Sequence, residues 1–207
     1  MLRDQIREVL LERILEGVYV PGERVKETVI AQELGVSQAP VREALRELEI
    51  LGMVVSEPYR GARVRGITAR ELAEIYPIRA AIEEVAGRAA AKALGGDVSP
   101  LEAEVDAMLA AADDGDVHRL LVHDVRFHRL IVEASGNGML EQVWRSLRIE
   151  ARTLITIIKV DSDLREIAEA HPPVVDALRD GHAARAGRAL RKHIESFAAW
   201  VPEDEAT

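Results

Sequence analysis

Between Thr28 and Arg65 the hydrophobic period changes once, and that change constrains the first third of the chain more than any other feature. Ile30, Ala31 and Leu34 are apolar at helical spacing, and Gly35 stops that run. Val41, Leu45, Leu48 and Leu51 then make a second helical stripe over about 38–51. Ser37 stands where an N-cap is wanted, and Gly52 closes the helix. Beyond Gly52 the period falls to two. MVVS and ARVRG read as strands around EPYRG, which is a hairpin. Upstream, Leu2, Ile6, Val9, Leu10 and Ile14 predict a helix ended by Gly17, and VYVPGERV predicts a turn centred on Pro21-Gly22. Two helices joined by a three- to four-residue turn, with a hairpin after the second, is a winged helix-turn-helix layout.

From Thr68 onward the periodicity is helical throughout. Thr68 and Glu71 have the spacing of a capping box, and so do Ser99 and Glu102, with Pro100 at the first helical position. Helices are expected over about 69–94, 100–113, 116–134, 138–159, 163–180 and 183–200, punctuated by Gly95-Gly96, Gly115, Ser135-Gly136-Asn137-Gly138 and Gly181. Aromatics are only 3% of the chain, so Leu, Ile, Val and Ala must fill this core. The fold class is therefore mainly α. A winged helix-turn-helix occupies residues 1–66, a short linker 67–68, an all-α bundle of about six helices 69–200, and an acidic tail 201–207.

The sequence contains no cysteine, which excludes disulfides, thiolate metal sites and Cys nucleophiles. No apolar run approaches the roughly 20 residues of a membrane span, so no membrane partner is expected. The amphipathic N-terminus, mixed in charge, does not read as a signal peptide, and a cytoplasmic location is expected. The net charge of −9 argues at first against a nucleic-acid partner. Residues 1–66, however, hold ten Lys/Arg against eleven Asp/Glu, a net of −1, and the remaining residues carry the −8. Phosphate binding depends on where positive charges lie rather than on the total. Here Arg42 and Arg46 share a helix face, and Arg60, Arg63 and Arg65 cluster.

The stretch PGERVKETVIAQELGVSQAPVREALRELEILGMVVSEPYRGARV resembles the DNA-binding domain of the GntR family of bacterial transcription regulators. The PGE turn, the LGVS and PVREAL core and the RGA wing sit at that family's spacing. The residue chemistry agrees. A recognition helix presents its N-terminal residues to base edges, here Ser37, Gln38 and Ala39, with Arg42 one turn on. Gln pairs with adenine, and Arg with guanine or phosphate. Gly61 permits close approach at the wing tip, flanked by Arg60 and Arg63. Arg46 also belongs to the candidate surface, although Glu43, Glu47 and Glu49 are within helical reach of it. The chain departs from the family at Gln38, where many members are basic, and at Thr28, where some are. The departure bears on which operator is read.

Six histidines lie in the second part: 118, 123, 128, 171, 182 and 193. Asp124 and His128 are four apart and share a helix face with Leu120, Phe127 and Ile131. Spacing alone leaves two readings open, a surface ion pair with satisfied histidines or a ligand set. VHDVRFHRLIVEASGN and EAHPPVVDALRDGHAARAGRALRKHI resemble the FCD domain that accompanies a large GntR subfamily. That resemblance implies a divalent metal, Zn or Ni before other ions, on Asp124, His128, His171 and His193. It also implies a small organic acid effector near Arg79, with Asn137 and Arg152 as further candidates. Arg79 is equally placed to pair with Glu83, four residues on. The implied protein is a homodimeric regulator that binds double-stranded DNA at a palindromic operator. A metal-dependent hydrolase lacks an evident general base, so no enzyme is expected. A purely structural metal in a dimerisation module is the other alternative.

Overall fold

The structure is a computed structural model, and it describes residues 2–15, 18–50, 52–57, 61–65, 69–147 and 163–198. The chain divides into two compact units, residues 1–67 and 68–207. The expected linker at 67–68 and the tail at 201–207 lie outside the described residues.

The first unit runs α1 (Leu2–Leu15), β1 (Arg24–Val25), α2 (Glu27–Glu33), α3 (Gln38–Ile50), β2 (Val54–Glu57) and β3 (Gly61–Val64). Val20 to Glu23 form a type II turn. Glu23 N–H donates to the Val20 carbonyl at 2.9 Å, Pro21 pre-sets φ, and Gly22 takes the required positive φ of 85°. The link from α2 to α3 is a Schellman ending: Gly35 has φ 64°, its N–H donates to Gln32, and Val36 N–H reaches back to Ala31 at 2.9 Å. Ile30, Ala31, Val41, Ala44, Leu45 and Leu48 close the core with Ile6 and Leu10 of α1.

The wing differs from the expected hairpin. It has a third strand, because the chain leaving the Pro21-Gly22 turn extends at once and pairs. The order is β1-β3-β2, all antiparallel, with Arg24 opposite Arg63 and Val25 opposite Ala62. Val25, Val54, Ala62 and Val64 turn inward, so the two-residue β1 is held by burial as well as by its ladder.

The second unit runs α4 (Ala69–Ala93), α5 (Ser99–Asp113), α6 (Val117–Ala134), α7 (Gly138–Ser146), α8 (Leu164–Glu169), α9 (Pro172–Arg179) and α10 (Ala183–Ala198). It is all helical among the described residues. Two expectations need correction. The helix predicted over 163–180 is broken at His171, because Pro172 and Pro173 cannot donate backbone N–H groups to a continuing helix; they start α9, with His171 at its N-cap. Ser99 is not an N-cap. Val98 holds that position, while Ser99 Oγ donates to Asp97 at 2.6 Å. The helix expected from 138 to 159 is seen as α7 to Ser146, and its remainder lies outside the described residues.

α4 and α10 pack against each other along the most extensive helix–helix contact among the described residues of this unit, and two glycines bring them close. A Cβ on Gly187 would stand 2.8 Å from the Glu84 carbonyl oxygen, and one on Gly87 would stand 3.3 Å from that of Ala186. This approach carries the C-terminal half of α10 toward the middle of α4 and α6, where the buried polar residues of the unit gather.

Candidate functional sites

On α3 the buried stripe Val41, Ala44, Leu45 and Leu48 leaves the opposite side to solvent. Ser37, Gln38, Ala39, Arg42 and Arg46 are all exposed there, with Gln38, Arg42 and Arg46 at successive four-residue steps. Among the described residues Arg46 has no ion-pair partner. Two of the three carboxylates within reach of it are used elsewhere: Glu47 receives Arg3 and Arg7 of α1, and Glu49 accepts from Ser56 of β2 through both the backbone N–H and the hydroxyl. Arg42 is engaged, in a fork with Glu27 of α2.

At the wing Gly61 has φ 79°, a conformation costly for any side chain. Arg63 is partly committed to structure. Its Nη1 donates to the Gly22 carbonyl at 3.0 Å, and Glu57 lies 3.5 Å from its Nε. The third strand brings in a cation absent from the expected set. Arg24 is exposed, paired in register with Arg63, and its Nε is the atom nearest to a Cβ placed on Gly61. The extended Arg24-Val25 after a type II turn was its only sequence signal. Arg60 lies outside the described residues.

In the helical unit, α6 supplies Asp124 and His128, the α8–α9 break supplies His171, and α10 supplies His193. All four side chains are buried, with Phe127 edge-on to His128 and His171. The three imidazoles converge, each offering a ring nitrogen within 4.8 Å of the others. His171 and His193 stand 4.4 Å apart, ring centre to ring centre. Asp124 Oδ1 lies 3.2 Å from His171 Nε2 and 3.9 Å from His128 Nε2. The sequence pair at i,i+4 is thus an interior pair.

The outer nitrogens decide which ring atoms face the centre. His171 Nδ1 donates to the Ile167 carbonyl at 2.9 Å, and His193 Nδ1 to the Ala170 carbonyl at 3.2 Å. A carbonyl only accepts, so both Nδ1 atoms carry a proton, and in the neutral rings both Nε2 atoms are lone pairs. His128 Nδ1 donates to Glu83 Oε2 at 2.6 Å, which in the neutral ring leaves its Nε2 a lone pair as well. Asp124 Oδ2, His171 Nε2 and His193 Nε2 are buried with no hydrogen-bond partner among the described residues. The result is an enclosed set of acceptors directed at one another. Acceptors held so close could share a cation, and three imidazoles with one carboxylate match the donor set of a divalent transition metal.

The protonation states fit that use. Burial pushes the Asp124 carboxyl up, but His171 and His128 in their protonated forms, together with the Arg79 charge, bring it down to about 2. Burial, then the neighbouring imidazoles of His171 and His128, pushes His193 well below the ordinary histidine value. A metal binds carboxylate and neutral imidazole, the forms that the Asp124 and His193 shifts favour.

Glu83 was not among the expected site residues, yet it organises this one. It is fully buried. Its Oε1 accepts from Arg79 Nε at 2.7 Å and Trp144 Nε1 at 3.0 Å, and its Oε2 accepts from His128. Burial raises its pKa, and the Arg79 and His128 charges reverse that to hold it well below the usual carboxylate range. The carboxylate therefore places the proton of His128 on its outer nitrogen from outside the cluster. The Arg79–Glu83 pair read from the i,i+4 spacing is real, but it lies in the interior. Asn137 is the N-cap of α7, its side chain accepting from Leu140 N–H at 3.1 Å, and it is exposed. Arg152 lies outside the described residues. His123 pairs with Glu104 at 2.6 Å, and His182 accepts from Arg185 N–H at the start of α10, so neither joins the cluster.

Comparison with known proteins covers both units. The family model "Bacterial regulatory proteins, gntR family" matches residues 2–64, and the FCD domain matches residues 74–196. The chain is 38% identical over 193 residues to a probable D-xylose utilization operon transcriptional repressor of Paenarthrobacter nicotinovorans, covering 93% of this chain and 85% of that one. It is 29% identical over 168 residues to the gluconate operon transcriptional repressor of Bacillus subtilis, covering 79% and 67%. Among solved structures, a GntR regulator from Rhodococcus sp. RHA1 superposes with a TM-score of 0.75 at 26% identity, over 96% of each chain.

Proposed function

Because this chain belongs to the GntR family and carries an FCD domain, and so is a DNA-binding transcriptional regulator rather than an enzyme, we propose that its helical unit holds a divalent metal and uses it to bind a small carboxylate effector that alters operator binding. Asp124, His128, His171 and His193 hold the ion, Zn²⁺ or Ni²⁺ by donor type. One observation carries this reading: three buried imidazoles converge, the Asp124 carboxylate lies 3.2 Å from one of them, and every outer Nδ1 is already spent on an acceptor.

The bound ion would supply Lewis acidity toward an effector oxygen, and the chain's own residues do the rest. Glu83 holds His128 in its ligating tautomer and holds the Arg79 guanidinium at the edge of the cluster. Arg79 is buried and its charge bears on both Asp124 and His193, which suits it to pair with an anion seated beside them. Trp144 and Phe127 keep the site dry, so each charge acts at low dielectric. A relative named for a gluconate operon favours a polyhydroxy acid as the effector class. The protein acts as a homodimer on a palindrome, because one recognition helix spans too few base pairs for genomic specificity. Ser37, Gln38, Ala39, Arg42, Arg46, Arg60, Gly61 and Arg63 form the DNA surface, and Arg24 joins it. Effector binding shifts operator affinity only as far as its affinity differs between the DNA-competent and DNA-incompetent arrangements.

Metal content measured on gently purified protein, beside the double variant His128→Ala with His171→Ala, tests the centre. The expected result is about one ion per chain in the wild type and none in the variant. Equal metal in both, or none in either after loading with Zn²⁺ or Ni²⁺, overturns it. Screening hydroxy acids by thermal shift on the loaded protein then tests the effector, and metal binding without any stabilising acid would reduce the ion to a structural staple.

A further inference from the structure

We propose that Glu27 is a positioning residue for base readout: it grips one edge of Arg42 and leaves the other to read a guanine. The inference rests on the reading that Arg42 contacts a base.

Arg42 is the fifth residue of α3, one turn past Gln38, on the exposed face. Glu27 is the first residue of α2, the preceding helix of the motif. Their contact is a fork. Arg42 Nε donates to Oε2 at 3.0 Å and to Oε1 at 3.1 Å, and Nη2 donates to Oε2 at 2.7 Å. A guanidinium has five N–H groups in a fixed plane. Glu27 consumes the edge formed by Nε and one Nη2 hydrogen. The end formed by Nη1 and the other Nη2 hydrogen stays open, and that end matches the O6 and N7 acceptors of guanine in the major groove.

The pair stabilises the fold little, since half of the Arg42 side chain is in solvent and exposed ion pairs contribute little. Its effect falls on recognition. A lone arginine on this face is free to swing to any phosphate. With Glu27 attached, the side chain is ordered before DNA arrives, and a carboxylate stands where a phosphate would approach. Overall affinity is given up, and discrimination is gained. Arg46, one turn on, is the contrast within the same helix. It is exposed with no ion-pair partner among the described residues, and so it is suited to phosphate. Two arginines of identical chemistry are thus assigned different work by one carboxylate.

The test uses the full-length chain. A preferred half-site is selected from random duplexes with wild-type protein, and each single-base substitution is then titrated against wild type, Glu27→Gln, Glu27→Ala and Arg42→Ala. Arg42→Ala is expected to lose preference at one base pair of the half-site. Both Glu27 variants are expected to lose about tenfold of preference at that same base pair and no other. They should also bind random-sequence DNA more tightly, with a salt slope steeper by about one per chain as Arg42 turns to phosphate. Melting temperatures should stay at the wild-type value. Unchanged preference at the Arg42 position in the Glu27 variants overturns the proposal and spares the premise, whatever happens to overall affinity. An Arg42→Ala variant that loses affinity evenly across all sequences overturns both.

Discussion

Replacing Glu83 by Gln changes one atom in the interior and should disable the proposed metal centre without removing any of its proposed ligands. Glu83 presents two acceptor oxygens to three donors: Arg79 and Trp144 on Oε1, and His128 on Oε2. Gln has one acceptor and one NH₂ group. The amide oxygen must stay with Arg79 and Trp144, whose N–H groups cannot be reversed, so NH₂ faces His128. Two donors then meet at 2.6 Å unless His128 moves its proton from Nδ1 to Nε2. The tautomer that relieves the clash puts a hydrogen where the lone pair was, directed at Asp124 and the cluster centre. Loss of an outer partner of this kind typically costs 10- to 100-fold in metal affinity, about 1.4–2.8 kcal/mol. The same change strips Arg79 of its charge partner in a site where it is only 5% exposed, and removing one member of a buried pair costs about 3–5 kcal/mol. The two losses separate experimentally. Competition against a chelator of known Zn²⁺ affinity reads the first, and urea unfolding of metal-stripped protein reads the second. Zn²⁺ affinity within twofold of wild type in a folded Gln variant would refute the tautomer reasoning, because the ligands themselves are untouched.

The remaining expectations are shorter. His193 has a folded pKa well below its ordinary 6.5, so the unfolded chain binds the extra proton first; stability of metal-stripped protein should fall as pH drops below about 6.5, by up to about 1.4 kcal/mol per unit, and urea midpoints for wild type and His193→Gln between pH 7.5 and 5.5 check that the slope belongs to this residue. Gly187→Ala gains about 1 kcal/mol of helix propensity, but its Cβ meets the Glu84 backbone carbonyl at 2.8 Å, so a net loss of about 1–3 kcal/mol is expected, with weaker Zn²⁺ binding because His193 rides on the displaced helix. Asn137→Ala removes the cap of α7 and should cost about 1 kcal/mol in urea unfolding, while affinity for any carboxylate effector found by screening stays unchanged; a selective loss of effector affinity would return Asn137 to the pocket.

What the sequence made legible follows from how locally each feature is encoded. The α2–α3 turn could be read because Gly35 and the apolar spacing around it are sufficient to form it; all of its hydrogen bonds close within six residues. The wing was read one strand short, since β1 is two residues long and exists only by pairing with β3, almost forty residues away. The break at His171 was legible in Pro172-Pro173 and was overridden by a periodicity that runs through it, because α8 and α9 bury the same side of the chain at Ile167, Ala168, Val174 and Val175. The proposed metal ligands came from a resemblance, since Asp124 and His128 alone fit a surface pair equally well. What makes them a site is tertiary: the α8–α9 break and the glycine-tight α4–α10 contact deliver His171 and His193 to the same point.

Glu83 shows why two rival readings of one spacing could both be incomplete. At i,i+4 from Arg79 it predicts a salt bridge, and the salt bridge is there. On a surface such a pair would contribute a few tenths of a kcal/mol and mean nothing for function. Burial alone inverts that. In the interior an isolated Arg79–Glu83 pair is seldom worth its desolvation cost, and an apolar pair would serve the core as well. The carboxylate is tolerable there because both its oxygens are used, one by Arg79 and Trp144 and the other by His128. Remove the histidine cluster and the buried pair loses its physical reason. Remove Glu83 and the cluster loses the proton placement that makes His128 a ligand. The pair and the cluster therefore form one structure, which ties the arginine proposed to hold the effector to the ion proposed beside it.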